Sequence, residues 1–130
     1  MGYESRVYVI RKMDVPYAKD TRGFKYAEVM AVYGMSKFQP FQQLFDKNCP
    51  VTKYAFFNIH GGGNLITEDM YGDPLRERSL GEAIDCLEQV IAQGDDLSEY
   101  PRIKPLLALL REYDEIQNSY YQFALLHYGH

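Results

Sequence analysis

Tyr120-Tyr121-Gln122-Phe123-Ala124-Leu125-Leu126-His127-Tyr128-Gly129 closes the chain, and whether it is helix or strand decides how the fold is assembled. The segment follows a break at Asn118-Ser119 and admits both readings, because Leu125 and Leu126 interrupt strict alternation. Its aromatic content, its length over Tyr120 to His127 and the closing Tyr128-Gly129 favour a strand that returns to pair with a sheet. Both ends of the chain then enter one sheet, since Ser5-Arg6-Val7-Tyr8-Val9-Ile10-Arg11 alternates and is rich in β-branched and aromatic side chains.

Working inward, Tyr26-Ala27-Glu28-Val29-Met30-Ala31-Val32-Tyr33 is again strand-like and ends at Gly34, so the first two strands are expected to pair. Phe38, Phe41, Leu44 and Phe45 recur at three- and four-residue steps, the spacing of a short amphipathic helix. Tyr54 to Ile59 and Leu65 to Thr67 flank His60-Gly61-Gly62-Gly63-Asn64, which predicts a hairpin with glycines at the turn. Asp73-Pro74 marks a turn leading out of the sheet.

Two helices follow. Ser79 with Glu82 three residues on forms a capping box, and Leu80, Ala83, Ile84, Leu87, Val90 and Ile91 make an apolar stripe that Gly94 ends. The second helix carries Pro105 in its first turn, with Ile103, Leu106, Leu107, Leu110 and Tyr113 on one face. The expected fold is a single α+β domain over residues 1–130: an antiparallel sheet of four to five strands, with helices near 80–93 and 103–117 packed on one face.

Composition agrees with an independently folding domain. The chain has 130 residues, 46% of them hydrophobic and 25% charged, which is close to the globular average and leaves enough surface to bury a core. No run is long and apolar enough to cross a bilayer, and Met1-Gly2-Tyr3-Glu4-Ser5-Arg6 lacks a signal peptide's basic start and apolar stretch. A soluble cytoplasmic protein is therefore expected, with Cys49 and Cys86 as free thiols. The 12 Tyr and 7 Phe, with no Trp, suit half-wet strands or a contact surface.

Charge divides the chain. Residues 1–66 hold nine Lys and Arg against five Asp and Glu, whereas residues 67–130 hold five against thirteen, so the halves carry +4 and −8 within a net charge of −4.

Several catalytic motifs fail on their surroundings. His60-Gly61-Gly62-Gly63 copies an oxyanion-hole motif, but Gly34-Met35-Ser36-Lys37-Phe38 lacks the second glycine of a nucleophile elbow, and a hairpin turn is preferred. His60, His127 and His130 are weak candidate metal ligands, unsupported by any recognised ligand spacing. Glu68, Asp69 and Asp73, or Asp114 with Glu115, have no partner group that would mark a hydrolytic pair. No phosphate-binding glycine loop occurs. Arg6, Arg11, Lys12, Lys19, Arg22 and Lys25 gather with Tyr8, Tyr17, Phe24 and Tyr26, a pattern compatible with nucleic acid, although the acidic half opposes it.

Met1-Gly2-Tyr3-Glu4-Ser5-Arg6-Val7-Tyr8, the central Ile66-Thr67-Glu68-Asp69-Met70-Tyr71-Gly72-Asp73-Pro74-Leu75 and the ending Leu125-Leu126-His127-Tyr128-Gly129 resemble small proteins of bacteriophages and prophages of Gram-positive bacteria. That resemblance implies no catalytic residue. It implies a role among inhibitors of host defence, anti-CRISPR proteins included, which occupy a host protein's surface inside the bacterial cell. The leading expectation is therefore a non-enzymatic, cofactor-free inhibitor that covers a basic host surface, for instance that of a nucleic-acid-binding defence protein. Its expected contacts are Glu68, Asp69, Asp73, Glu82, Asp85, Glu88, Asp95, Asp96 and Glu99, with tyrosines as anchors. The alternative is a metal-containing or nucleic-acid-processing protein using His60, His127, His130 and nearby carboxylates; a third reading is a nucleic-acid-binding module using the first-half cations.

Overall fold

The computed structural model of the protein describes residues 5–13, 23–34, 45, 49–57, 65–93 and 103–129. They form strands β1 (Ser5–Lys12), β2 (Lys25–Gly34), β3 (Tyr54–Phe57), β4 (Leu65–Ile66) and β5 (Arg76–Arg78), helices α1 (Leu80–Ala92) and α2 (Ile103–Glu115), and strand β6 (Phe123–Gly129). The fold is α+β, as expected, and the last segment is a strand. It starts at Phe123 rather than Tyr120.

The strands make one six-stranded sheet in the order β4-β3-β2-β1-β6-β5. At its centre β1 pairs antiparallel with both β2 and β6, so the two ends of the chain lie side by side. The expectation of four to five antiparallel strands is corrected in two ways. β3 runs parallel to β2, from Lys25 beside Tyr54 to Ala27 beside Phe56, which makes the sheet mixed. The turn at Asp73-Pro74 leads into β5, a further strand at the far edge beside β6, and not out of the sheet. The expected hairpin appears as antiparallel β3 and β4, with its glycine turn outside the described residues. The short helix expected around Phe38 to Leu44 also lies outside them; Phe45, at its end, is buried in the core.

The sheet curls. Opposite Val9 and Ile10 the pairing skips Met30, a bulge of the kind that increases local twist. The chain leading into β3 then ties the far edge back towards the near one: Val51 bridges Arg76, Thr52 N–H donates to the Leu75 carbonyl at 2.9 Å, and Glu77 N–H donates to the Pro50 carbonyl at 3.0 Å. One residue on, Lys25 N–H donates to the Lys53 carbonyl at 2.9 Å, so residues 50–53 join β5 to the start of β2 and β3.

Curling creates two apolar regions, one on each face. Side chains alternate along a strand, so Val7, Val9, Phe123 and Leu125 meet the stripes of α1 (Leu80, Ala83, Ile84, Leu87, Val90) and α2 (Ile103, Leu106, Leu107, Leu110). Inside the curl, Tyr8, Ile10, Ala124, Leu126 and Tyr128 pack with Ala27, Tyr54, Phe56 and Leu75, and the rings of Tyr8 and Phe56 lie 4.6 Å apart. A strand buried on both faces needs apolar residues at consecutive positions, which is why Leu125-Leu126 breaks alternation in a genuine strand.

α1 begins as the sequence predicts, but with half of the expected box. Ser79, extended at φ −67° and ψ 152°, accepts a hydrogen bond on its hydroxyl from Glu82 N–H at 3.2 Å. The Glu82 side chain does not return to the Ser79 backbone; its carboxylate accepts from the Ser79 hydroxyl at 3.1 Å and from Arg78 at 2.9 Å. At the other end Gln93 caps the helix in a right-handed conformation, while Gly94 lies outside the described residues.

Candidate functional site

The expected acidic contacts fall on two elements. Glu82, Asp85 and Glu88 are exposed along α1, on the side away from its apolar stripe. Glu68 and Asp73 are exposed on the turn before β5, and Asp95, Asp96 and Glu99 lie outside the described residues. Asp69 is a correction. It is only 8% exposed, and its Oδ1 accepts from Tyr71 N–H at 2.8 Å and Asp73 N–H at 3.0 Å. The carboxylate is used to hold the turn, which passes through Gly72 at φ +84°, a left-handed conformation suited to glycine. A partner would meet the rim of this turn and not Asp69.

Neutralisation by the chain's own cations is partial. Glu82 pairs with Arg78 at 2.9 Å and Glu88 with Arg111 at 2.8 Å, whereas Asp85 has no ion pair among the described residues. Arg78 is 22% exposed and the other three side chains about half-exposed, so each pair adds little to stability, but each cation offsets its partner's charge and Asp85 is the α1 carboxylate without one among the described residues.

By element, charge sorts into layers. α1 carries three carboxylates and no Lys or Arg, and α2 carries Glu112, Asp114 and Glu115 against Lys104 and Arg111, for −4 in the two helices. β1 carries Arg6, Arg11 and Lys12 with no acid, β2 balances Lys25 with Glu28, and β5 has two Arg and one Glu, for +4 in the strands.

The cations of β1 are engaged by the chain's own rings and carboxylates. The Arg6 guanidinium lies over the rings of Tyr128 (4.4 Å) and Tyr8 (5.6 Å). Arg11 is 3.1 Å from the Glu28 carboxylate and over the Tyr121 ring, and Lys12 is 3.3 Å from Glu77 and over Tyr54. Lys19, Arg22 and Tyr17 lie outside the described residues, and Lys25 is half-buried. Arg6, Arg11 and Lys12 are thus engaged by rings and carboxylates of the chain itself, while Lys53 is exposed, so the described cations of the first half do not form one open basic stripe.

Of the candidate metal ligands, His127 is half-buried on β6 and stacked on Phe45, with ring centroids 5.0 Å apart. His60 and His130 lie outside the described residues, among which no group of three or more His, Cys, Asp or Glu could hold a metal ion. No described helix is long and apolar enough to cross a membrane.

Cys49 and Cys86 are both thiols and do not form a disulfide. Cys49 is buried, its thiol donating to the Glu77 carbonyl at 3.1 Å, and Cys86 is half-buried on α1. Burial pushes the Cys86 thiol above its ordinary value of 9.0, outweighing the opposing pull of Arg78. The thiolate is the reactive form, so alkylation of Cys86 is expected to be slower than that of an unstructured cysteine peptide at the same pH. The rate should climb only at more alkaline pH; iodoacetamide labelling across pH 7 to 10, followed by mass spectrometry, checks this.

The sequence reading missed one surface feature. Tyr120 and Tyr121, taken as the start of the last strand, lie instead on the turn before β6, 85% and 48% exposed. Asn118-Ser119, already visible as a break, is the signal that could have found it, because an Asn side chain readily holds a tight turn.

No protein-family model matches the chain, and neither a curated protein nor a solved structure does.

Proposed function

We propose that the protein is a non-enzymatic binding protein that inhibits a host protein by covering a basic surface with its helical layer, the role implied by its resemblance to small phage proteins. The separation of charge between layers carries this reading: the helices hold net −4 while the strands hold +4, with the β1 cations engaged by the chain's own rings and carboxylates. A field of one sign on one layer speeds encounter with an oppositely charged surface and selects among partners. Glu82, Asp85 and Glu88 on α1 form the centre of the proposed contact, with Glu68 and Asp73 as further candidates; Asp69 drops out because its carboxylate is occupied.

Affinity capture from bacterial lysate, run in parallel with the native chain and a Glu82→Lys, Asp85→Lys, Glu88→Lys variant, tests the reading. A basic protein should be retained by the native chain and associate about tenfold or more slowly with the variant, the difference shrinking at high salt. Identical capture and identical rates for both would remove the acidic layer from consideration.

A further inference from the structure

Six hydrogen bonds within residues 114–123 hold the connection between α2 and β6, and Lys12 N–H donates to the Gln122 carbonyl at 2.8 Å. Gln117 donates its backbone N–H to the Asp114 carbonyl (3.3 Å) and its side-chain amide to the Asp114 carboxylate (2.8 Å), and its Oε1 accepts from Phe123 N–H (3.1 Å). Asn118 accepts on Oδ1 from Tyr120 N–H (2.8 Å) and Tyr121 N–H (2.9 Å), while its own N–H donates to the Tyr121 carbonyl (3.1 Å). On this constrained backbone sit three large exposed side chains: Ile116 at 55%, Tyr120 at 85% and Tyr121 at 48%. Single apolar residues scattered over a surface are ordinary, but three exposed within residues 116–121 concentrate apolar surface on one short segment. A fixed backbone loses little freedom on binding, and a tyrosine has only two side-chain torsions to order, so such a segment suits the anchor of an interface.

Charge around the segment indicates what it would hold. Glu112, Asp114 and Glu115 are exposed at the C-terminal end of α2, whose last turn contains no basic residue. The helix dipole already makes that end negative, so the carboxylates and the dipole repel each other and a cation would relieve both. Arg111, one residue before them, is drawn away to Glu88. The chain's own Arg11 stands over the Tyr121 ring at 5.5 Å, whereas the Tyr120 ring makes no aromatic or cationic contact among the described residues. Guanidinium fits this setting better than ammonium, because its plane stacks on an aromatic face while its N–H groups remain free for carboxylates.

We propose that this turn is an anchoring site for an arginine side chain of a protein partner, with the guanidinium stacked on Tyr120, Ile116 and Tyr121 packing beside it, and Glu112 and Glu115 supplying the opposing charge. The inference rests on the reading that the helical layer meets a basic protein and names a point of attachment for it.

Tetra-arginine and tetra-lysine peptides, titrated at low salt into the full chain with isotope-labelled tyrosine rings, test it. Tetra-arginine should shift the Tyr120 ring resonances and bind several-fold more tightly than tetra-lysine. Tyr120→Ala should weaken tetra-arginine binding by about 2- to 30-fold, and Tyr120→Phe, which keeps the ring, should retain it. Native-like unfolding midpoints for both variants exclude misfolding as the cause. Unchanged binding to Tyr120→Ala, equal binding of the two peptides, or no binding at all overturns the anchoring site. If Tyr120→Ala binds normally while the α1 triple-lysine variant does not, the acidic layer stands and only this site falls; loss on Tyr120→Ala alone leaves the site and removes only the α1 carboxylates from the contact.

Discussion

Leu126→Ala is expected to lower the unfolding free energy by about 2–5 kcal/mol, and Leu125→Ala by a similar amount, although the two residues are neighbours on one strand. Both are 0% exposed. Leu125 lies among the helix side chains with Val9 and Phe123, whereas Leu126 lies inside the curl with Ile10, Phe56 and Leu75. Each truncation removes buried methyl groups and leaves a cavity that its own cluster closes only in part, so neither loss substitutes for the other. A domain of this kind has roughly 5–15 kcal/mol in total, and either variant would consume a large share of it. Urea unfolding with an unchanged denaturant slope measures both effects. A Leu126→Ala variant within about 0.5 kcal/mol of the native chain would contradict a packed interior to the curl, since that is the range of ordinary surface substitutions.

Glu77→Ala should cost about 1–3 kcal/mol, more than the loss of an exposed ion pair among the described residues. Its Oε1 accepts from the Thr52 hydroxyl at 2.7 Å, and its Oε2 lies 3.3 Å from the Lys12 ammonium. Removing the carboxylate leaves Thr52, only 3% exposed, without an acceptor for its hydroxyl, and leaves Lys12 with the Tyr54 ring but no counter-charge. The side chains of Lys12 and Glu77 remain 24% and 23% exposed, so water offsets part of the loss and the cost stays below the about 3–5 kcal/mol of a fully buried pair. Glu28→Ala, which breaks a pair with Arg11 in which Glu28 is 53% exposed, should cost about 1 kcal/mol or less. A double-mutant cycle of Glu77→Ala with Thr52→Val should give a coupling of about 0.5–3 kcal/mol. Equal effects of Glu77→Ala and Glu28→Ala would mean that residues 50–53 are not locked to β5 through this cluster.

β2, β3 and β5 are joined where local sequence pattern says least. The parallel pairing of β2 with β3 and the bridge from Val51 to Arg76 join segments far apart in the chain, and no local pattern encodes such partners. Arg76-Glu77-Arg78 looks like a polar lead into α1, and three residues are too few for alternation to register as a strand. The candidate site was legible to a similar depth. The surplus of carboxylates after residue 66 could be counted, but counting did not reveal that Asp69 is consumed by its own turn while Asp85 has no ion pair among the described residues.

By itself the sequence determined both helix stripes, the Ser79 cap, the alternating first strand and the concentration of negative charge in the second half. Each is set by neighbours within a few residues, where side-chain period and backbone capping act. Tertiary structure alone decided that the sheet curls and buries both faces of β6, that the cations of β1 turn onto tyrosines and carboxylates of other strands, and that Tyr120 is left standing in solvent. Those outcomes depend on which distant segments share an edge, and the free energy of that choice resides in contacts that exist only after the chain has closed on itself.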